Sequence, residues 1–165
     1  MRLQGKAALI TGAARGIGLE FARAYIAEGA TVALADINAD AVAMAAESLG
    51  PKAIGITMDV ARQDSIDAGF AEVVARLGRL DILINNAGIL LDRKDSILNL
   101  TEEKLRTMLE TNTIAPLMIT RAFLPMMIEQ DYGRVVNVSS QLGALSRFSD
   151  YTPAYRVSKL ALNGI

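Results

Sequence analysis

Short apolar runs alternate with longer amphipathic segments along the whole of this chain. β-branched or aliphatic runs occupy residues 7–10, 31–35, 53–58, 82–84 and 135–138, and the first four are each followed by Thr, Asp or Asn. Runs apolar at successive rather than alternate positions predict strands buried on both faces. Between them, residues 16–28, 39–49, 65–77 and 101–129 repeat apolar residues at three-to-four spacing, which predicts helices, the last interrupted by Pro116 and Pro125. Strand and helix in alternation argue a parallel sheet covered on both sides, so the expected class is α/β, doubly wound, in a single domain over residues 1–165. The longest mixed region between elements, residues 88–100, is a candidate for substrate contact.

Composition narrows the chemistry. The 165 residues are 52% hydrophobic with a net charge of −1 and contain neither histidine nor cysteine. Ser-His-Asp and Cys-His triads, disulfides and imidazole or thiolate zinc sites are thereby excluded, and no metal is expected. Charge is mixed along the chain, so no basic face points to nucleic acid. No apolar run approaches the length of a membrane span, and the N-terminal one is too short for a signal-peptide core, so a cytoplasmic protein with no membrane partner is expected.

The first strand runs into "TGAARGIG", residues 11–18, and then into helix. Gly12, Gly16 and Gly18 in a strand–turn–helix context allow positive φ, close approach to a pyrophosphate and tight helix packing, while the helix N-terminus offers N–H groups to phosphates. The spacing is G-x-x-x-G-x-G rather than G-x-G-x-x-G. The second strand ends at Asp36, where a carboxylate can accept hydrogen bonds from adenosine ribose hydroxyls and repel a 2′-phosphate. Arg15 beside Gly16 could attract that phosphate, and Asp36 could instead cap the next helix. Asp36 at the ribose position favours NAD over NADP.

Together, "TGAARGIG", "MDV" at 58–60, "NNAG" at 85–88, Asn112, "VVNVSS" at 135–140 and "YRVSK" at 155–159 resemble the short-chain dehydrogenase/reductases, in the order and near the spacing of that family, with residues 1–86 similar to polyol dehydrogenases of the sorbitol type. The resemblance implies a Rossmann fold and hydride transfer between NAD(H) and a secondary alcohol or carbonyl. It places Gly12, Arg15, Gly16, Ile17 and Gly18 at the cofactor, Asp59 and Val60 beside the adenine, and Asn86, Ala87 and Gly88 along the cofactor near the fourth strand. Ser140, Tyr155, Lys159 and Asn112 then carry catalysis, with Tyr155 and Lys159 also contacting the cofactor.

The chemistry supports those roles. Tyr155 and Lys159 stand at i and i+4, on one helix face. A phenol titrating near 10 needs help to act as a base, and an ammonium at ~4 Å contributes roughly 4 kcal/mol at an effective dielectric near 20. Tyr151 lies two turns from Lys159 with Pro153 between, so the helix is expected to start at Pro153 and leave Tyr151 in a loop. Ser140 can stabilise charge developing on the reacting oxygen; strand alternation turns Ser139 the other way. Asn112 resembles the asparagine that holds a water in the family's proton relay, in a helix expected to kink near Pro116.

The family continues beyond the tyrosine helix, so a truncated or partial chain is expected, with the fifth strand an open edge. Relatives assemble as dimers or tetramers through the two helices after the fourth and fifth strands, and "APLMITRAFLPMMI" suits such an interface or a buried core equally. The alternative to an enzyme is a dinucleotide-binding or interaction module without turnover. A small alcohol or carbonyl substrate would lie between residues 88–100 and 143–153.

Overall fold

The apolar runs at 7–10, 31–35 and 82–84 form the centre of the molecule, covered on both faces, whereas those at 53–58 and 135–138 form the sheet edges, where the expected burial on both faces is not reached. The structure, a computed structural model, describes residues 1–146 and 150–165. Strands β1 (Ala7–Thr11), β2 (Thr31–Asp36), β3 (Ala53–Thr57), β4 (Ile82–Asn85) and β5 (Arg134–Asn137) pair in parallel in the order β3-β2-β1-β4-β5. Helices α1 (Gly16–Ala27), α2 (Ala39–Leu49) and α3 (Gln63–Leu77) separate the first four strands. Chain order reverses at β1, which opens a crevice outside the carboxyl ends of β1 and β4.

Side-chain alternation splits the core in two. Ala8, Ile10, Val32 and Leu34 face α1 and α2 through Ala22, Val42 and Ala45. Leu9, Ala33 and Ala35 face the other side, against Ile66 and Val73 of α3 and Ile119, Phe123 and Met127 of α5 (Ala115–Glu129). Phe70 and Phe123 meet there edge to face at 5.0 Å.

Below the sheet, at the amino end of β4, Asp81 is fully buried. Its carboxylate accepts from the Ala7 amide (2.9 Å), Lys6 Nζ (3.1 Å) and Arg79 Nη2 (2.6 Å). Burial alone would raise its pKa, but the Arg79, Ala7 and Lys6 hydrogen bonds outweigh it and hold the carboxyl below 3.8.

The expected 101–129 helix resolves into α4 (Glu102–Leu109), a π-helical turn (Glu110–Ile114) and α5. The irregularity expected near Pro116 is thus one wide turn, with the Ala115 N–H donating to the Glu110 carbonyl. α3 begins at Gln63, two residues before the apolar spacing does, and Arg62 gives it no side-chain cap. The final helix, α6 (Pro153–Leu162), starts where Pro153 predicts. β5 lies at a sheet edge with Val135 and Val136 exposed. Among the described residues no helix is long and apolar enough to cross a membrane, and no cluster of three or more Asp or Glu side chains could hold a metal ion.

Candidate functional site

The glycine loop is shaped by what lies beneath it. Gly12 has φ +64°, and a Cβ there would come within 2.8 Å of the Ala87 Cα. A Cβ on Gly18 would fall 2.5 Å from the Gly12 carbonyl, so only glycine lets α1 approach the loop this closely. The loop is sewn to the end of β4. Thr11 Oγ1 accepts from the Asn86 and Ala87 amides, both at 3.1 Å, and Asn86 Nδ2 donates to the Thr11 and Gly12 carbonyls at 2.9 and 3.0 Å. Arg15, the residue before α1, provides no side-chain cap, which leaves the helix N-terminus to face a ligand.

A cleft of about 460 Å³ opens over these strand ends. Ten of the expected cofactor positions line it: Gly12, Arg15, Gly16, Ile17, Asp36, Asp59, Val60, Asn86, Ala87 and Gly88. Gly18 lies under the loop, and Tyr155 and Lys159 are not in the lining. Ile37 and Thr111 also line it and were not anticipated; Met58, which opens the "MDV" motif, and Ile89, from the 88–100 region expected at the substrate, complete the lining. Ile37 carried a readable signal, an isoleucine between a strand-ending aspartate and a helix start, and it is 66% exposed. Thr111 belongs to the π turn and carried none.

Asp36 ends β2 at the cleft. Its Oδ2 accepts from the Ala14 amide and its Oδ1 from the Asn38 amide, both at 3.2 Å. The cap of α2 is Asn38, whose Oδ1 accepts from the Ala41 amide at 2.9 Å, so the capping role considered for Asp36 belongs to its neighbour. Arg15 makes no ion pair among the described residues. Asp59 turns back on its own segment, Oδ1 accepting from the Ala61 amide at 3.0 Å.

Beside the cleft, α6 brings in the second group of residues. Lys159 is almost fully buried, and its Nζ donates to the Val138 carbonyl at 2.8 Å, two residues before Ser140. Burial pushes the ammonium below the usual lysine range. The Nζ lies 6.0 Å from the centre of the Tyr155 ring, one turn back on the same face. Ser140 Oγ accepts from the Leu142 amide at 3.1 Å, capping a short 3₁₀ turn (Gln141–Gly143), while Ser139 Oγ points to the Lys159 carbonyl. Part of the expected substrate loop, residues 147–149, lies outside the described residues. Tyr151 precedes α6 and is 61% exposed.

Asn112 joins the two groups. Fully buried in the π turn, its Oδ1 accepts from the Ile89 amide (2.8 Å), and its Nδ2 donates to the Ile89 carbonyl (2.9 Å) and Ser158 Oγ (3.0 Å). A Cβ on Gly88 would stand 3.3 Å from Asn112 Oδ1 and 3.4 Å from Lys159 Nζ, so cleft, π turn and α6 meet at one point. The Asn112 amide is therefore fully engaged.

A family profile described as short chain dehydrogenase matches residues 6–165. The chain is 45% identical over 144 residues to sorbitol dehydrogenase of Cereibacter sphaeroides, covering 87% of this chain and 56% of that protein. It is 39% identical to galactitol 2-dehydrogenase of Agrobacterium fabrum, over 98% of this chain and 62% of that one. It therefore spans less than two thirds of the length of both. A crystal structure of a metagenomic short-chain oxidoreductase in complex with NADP superimposes with a TM-score of 0.90 at 32% identity, over 99% of this chain and 74% of that chain.

Proposed function

Since this chain belongs to the short chain dehydrogenase family, whose members bind nicotinamide dinucleotides, we propose that it serves an NAD-dependent dehydrogenase acting on a secondary alcohol, with a polyol or sugar alcohol as substrate class. The observation that carries this reading is the meeting of the glycine-loop cleft with α6 at Gly88, which sets Lys159 and the Asn112 turn against the cleft wall.

The cleft suits the dinucleotide. The uncapped start of α1 would receive its phosphates, Asp36 the adenosine ribose hydroxyls, and Asp59 and Val60 the adenine. The carboxylate at Asp36, against one exposed arginine at Arg15, supports NAD over NADP. Bound NAD would supply the hydride-accepting chemistry at the alcohol carbon. Tyr155 Oη removes the hydroxyl proton as the carbonyl forms and returns it in the reverse direction, while Ser140 Oγ donates to the reacting oxygen. Lys159 favours the ionised phenol electrostatically and holds the nicotinamide ribose. By its resemblance to the family's asparagine, Asn112 holds the water through which the proton reaches solvent. The polyol assignment rests on likeness to the sorbitol and galactitol enzymes.

The same reading includes a homo-oligomer, a dimer or tetramer, formed through α5 and α6, where Leu117, Leu124, Ile128, Val157 and Leu160 are exposed. Sedimentation of the purified protein as a monomer at micromolar concentration would remove that part. The catalytic part is tested by following NAD reduction across a panel of polyols with wild type and Tyr155→Phe. Turnover is expected with wild type and a fall of roughly 10³-fold in kcat for Tyr155→Phe, with NADH affinity kept. A variant as active as wild type refutes the assignment of Tyr155.

A further inference from the structure

We propose that Asp92 is the positioning residue for the helix that carries Tyr155 and Lys159: one carboxylate oxygen, delivered from the loop after β4, replaces the N-cap that α6 lacks and fixes where Tyr155 stands. The proposal rests on the dehydrogenase reading for its catalytic consequence and on geometry alone for the contact.

The first residues of a helix have no intrahelical partner for their amides, and a Ser, Thr, Asp or Asn in the N-cap position ordinarily supplies one. Here that position is held by Thr152, but its backbone sits at φ +60°, ψ +45°, the left-handed region that β-branched residues rarely adopt, and it makes no cap. Its Oγ1 instead donates to the Tyr151 carbonyl at 2.6 Å. The Thr152 amide donates to the Asp95 carbonyl (3.2 Å), Pro153 has no N–H, and the Ala154 and Tyr155 amides both donate to Asp92 Oδ2, at 2.7 and 3.2 Å. Only with Arg156, whose amide donates to the Thr152 carbonyl at 3.0 Å, does the helix bond to itself. Every free amide of the first turn is taken by the loop containing Asp92 and Asp95.

Asp92 is fully buried, and its Oδ1 has no hydrogen-bond partner among the described residues. A buried carboxylate with an idle oxygen is a costly way to begin a helix, because an oxygen on Thr152 itself would do so with far less desolvation. What Asp92 provides beyond a cap is a tie between two parts of the site. Its loop is anchored at Ile89 by Asn112 and at Asp95 by Lys104 Nζ (2.6 Å). The backbone of Tyr155 is thereby referenced to the segment that follows Gly88 at the cleft. Removing the tie lets α6 slide or tilt relative to the cleft, and displacements of an ångström at a reacting group cost about 10²-fold in rate.

The experiment compares wild type, Asp92→Ala, Asp92→Asn, Asp92→Glu and Tyr155→Phe in the full chain, reading kcat, KM, the NADH dissociation constant and hydrogen exchange at the Ala154 and Tyr155 amides. Asp92→Ala is expected to lose roughly 10- to 100-fold in kcat with NADH affinity within about 3-fold of wild type, and to exchange both amides faster. Asp92→Asn, which keeps an acceptor oxygen in place, should recover most of kcat and the slow exchange. A purely structural role would not separate kcat from cofactor affinity or be rescued by the amide. Wild-type kcat in Asp92→Ala, or equal impairment in Asp92→Asn and Asp92→Ala, overturns the proposal. If Asp92→Ala does not fold, Asp92→Glu carries the test: a displaced acceptor should lower kcat about 10-fold, and undiminished kcat overturns the proposal. Tyr155→Phe reports separately on the dehydrogenase reading: activity retained there defeats that reading, whereas activity lost there but kept in Asp92→Ala defeats the positioning role alone.

Discussion

At the ends of β1 and β4 the site is held by backbone groups and short neutral side chains: Thr11 Oγ1 takes two amides, Asn86 spans two carbonyls, and glycine permits the close contacts. Around α6 the holding groups are buried and ionisable or amide-bearing. Lys159 bonds a strand carbonyl, Asp92 receives the helix amides, and Asn112 links the π turn to both Ile89 and Ser158. The first arrangement uses neutral, half-buried groups between two neighbouring strands, although its partners stand 74 to 76 residues apart in sequence. The second depends on contacts made by buried Asp92, Asn112 and Lys159, which must be desolvated to form them. The cleft should therefore survive damage to α6, while α6 should not keep its alignment without its buried polar ties.

The sharpest separation is expected from Asn112→Ala, which removes the side-chain partner of the half-buried Ile89 amide and carbonyl. Loss of about 10²-fold in kcat or more with NADH affinity nearly kept supports two independently held regions; equal loss of both in steady-state kinetics and binding would merge them. From the other direction, Gly18→Ala forces a Cβ against the Gly12 carbonyl and Asn86 Nδ2. About 1–3 kcal/mol of stability and at least a tenfold loss of NADH affinity are expected by urea titration and fluorescence.

Asp81 lies at the opposite end of the sheet and should touch neither function. Asp81→Asn is expected to cost on the order of 3 kcal/mol at neutral pH, since Lys6 and Arg79 lose their buried partner. Its folded pKa lies below 3.8, so its contribution is present above that value and is lost as the pH falls through the folded pKa. Urea midpoints should therefore fall on acidification more steeply in wild type than in the variant. The smallest effect concerns Lys159. Its ammonium is held below the unfolded value of 10.5 by burial, so the unfolded state binds more protons between the two values and stability rises with pH there. In Lys159→Met that rise should be missing from alkaline denaturation curves, and its persistence would assign it to another group.

These regions also differed in how far they could be read from the sequence. All five strands, the glycine loop and the start of α6 at Pro153 came from local patterns, because apolar runs, glycine spacing and proline each act within a few residues. The start of α3 was misplaced by two residues because Arg62 supplies no capping signal. The π turn left only Pro116 as a trace, since an extra residue in a helix has no composition of its own. Asp92 was invisible as a cap because it lies 62 residues before Ala154, from whose amide it accepts. Local chemistry was legible; long-range ties between buried polar groups were not.

The most direct test of the cleft as a dinucleotide site with Asp36 as its selector is a fluorescence titration of this protein with NADH and, in parallel, NADPH. Saturable binding that favours NADH by about tenfold or more, a difference of about 1.4 kcal/mol, is expected. Equal or tighter binding of NADPH, or no binding of either, would contradict it.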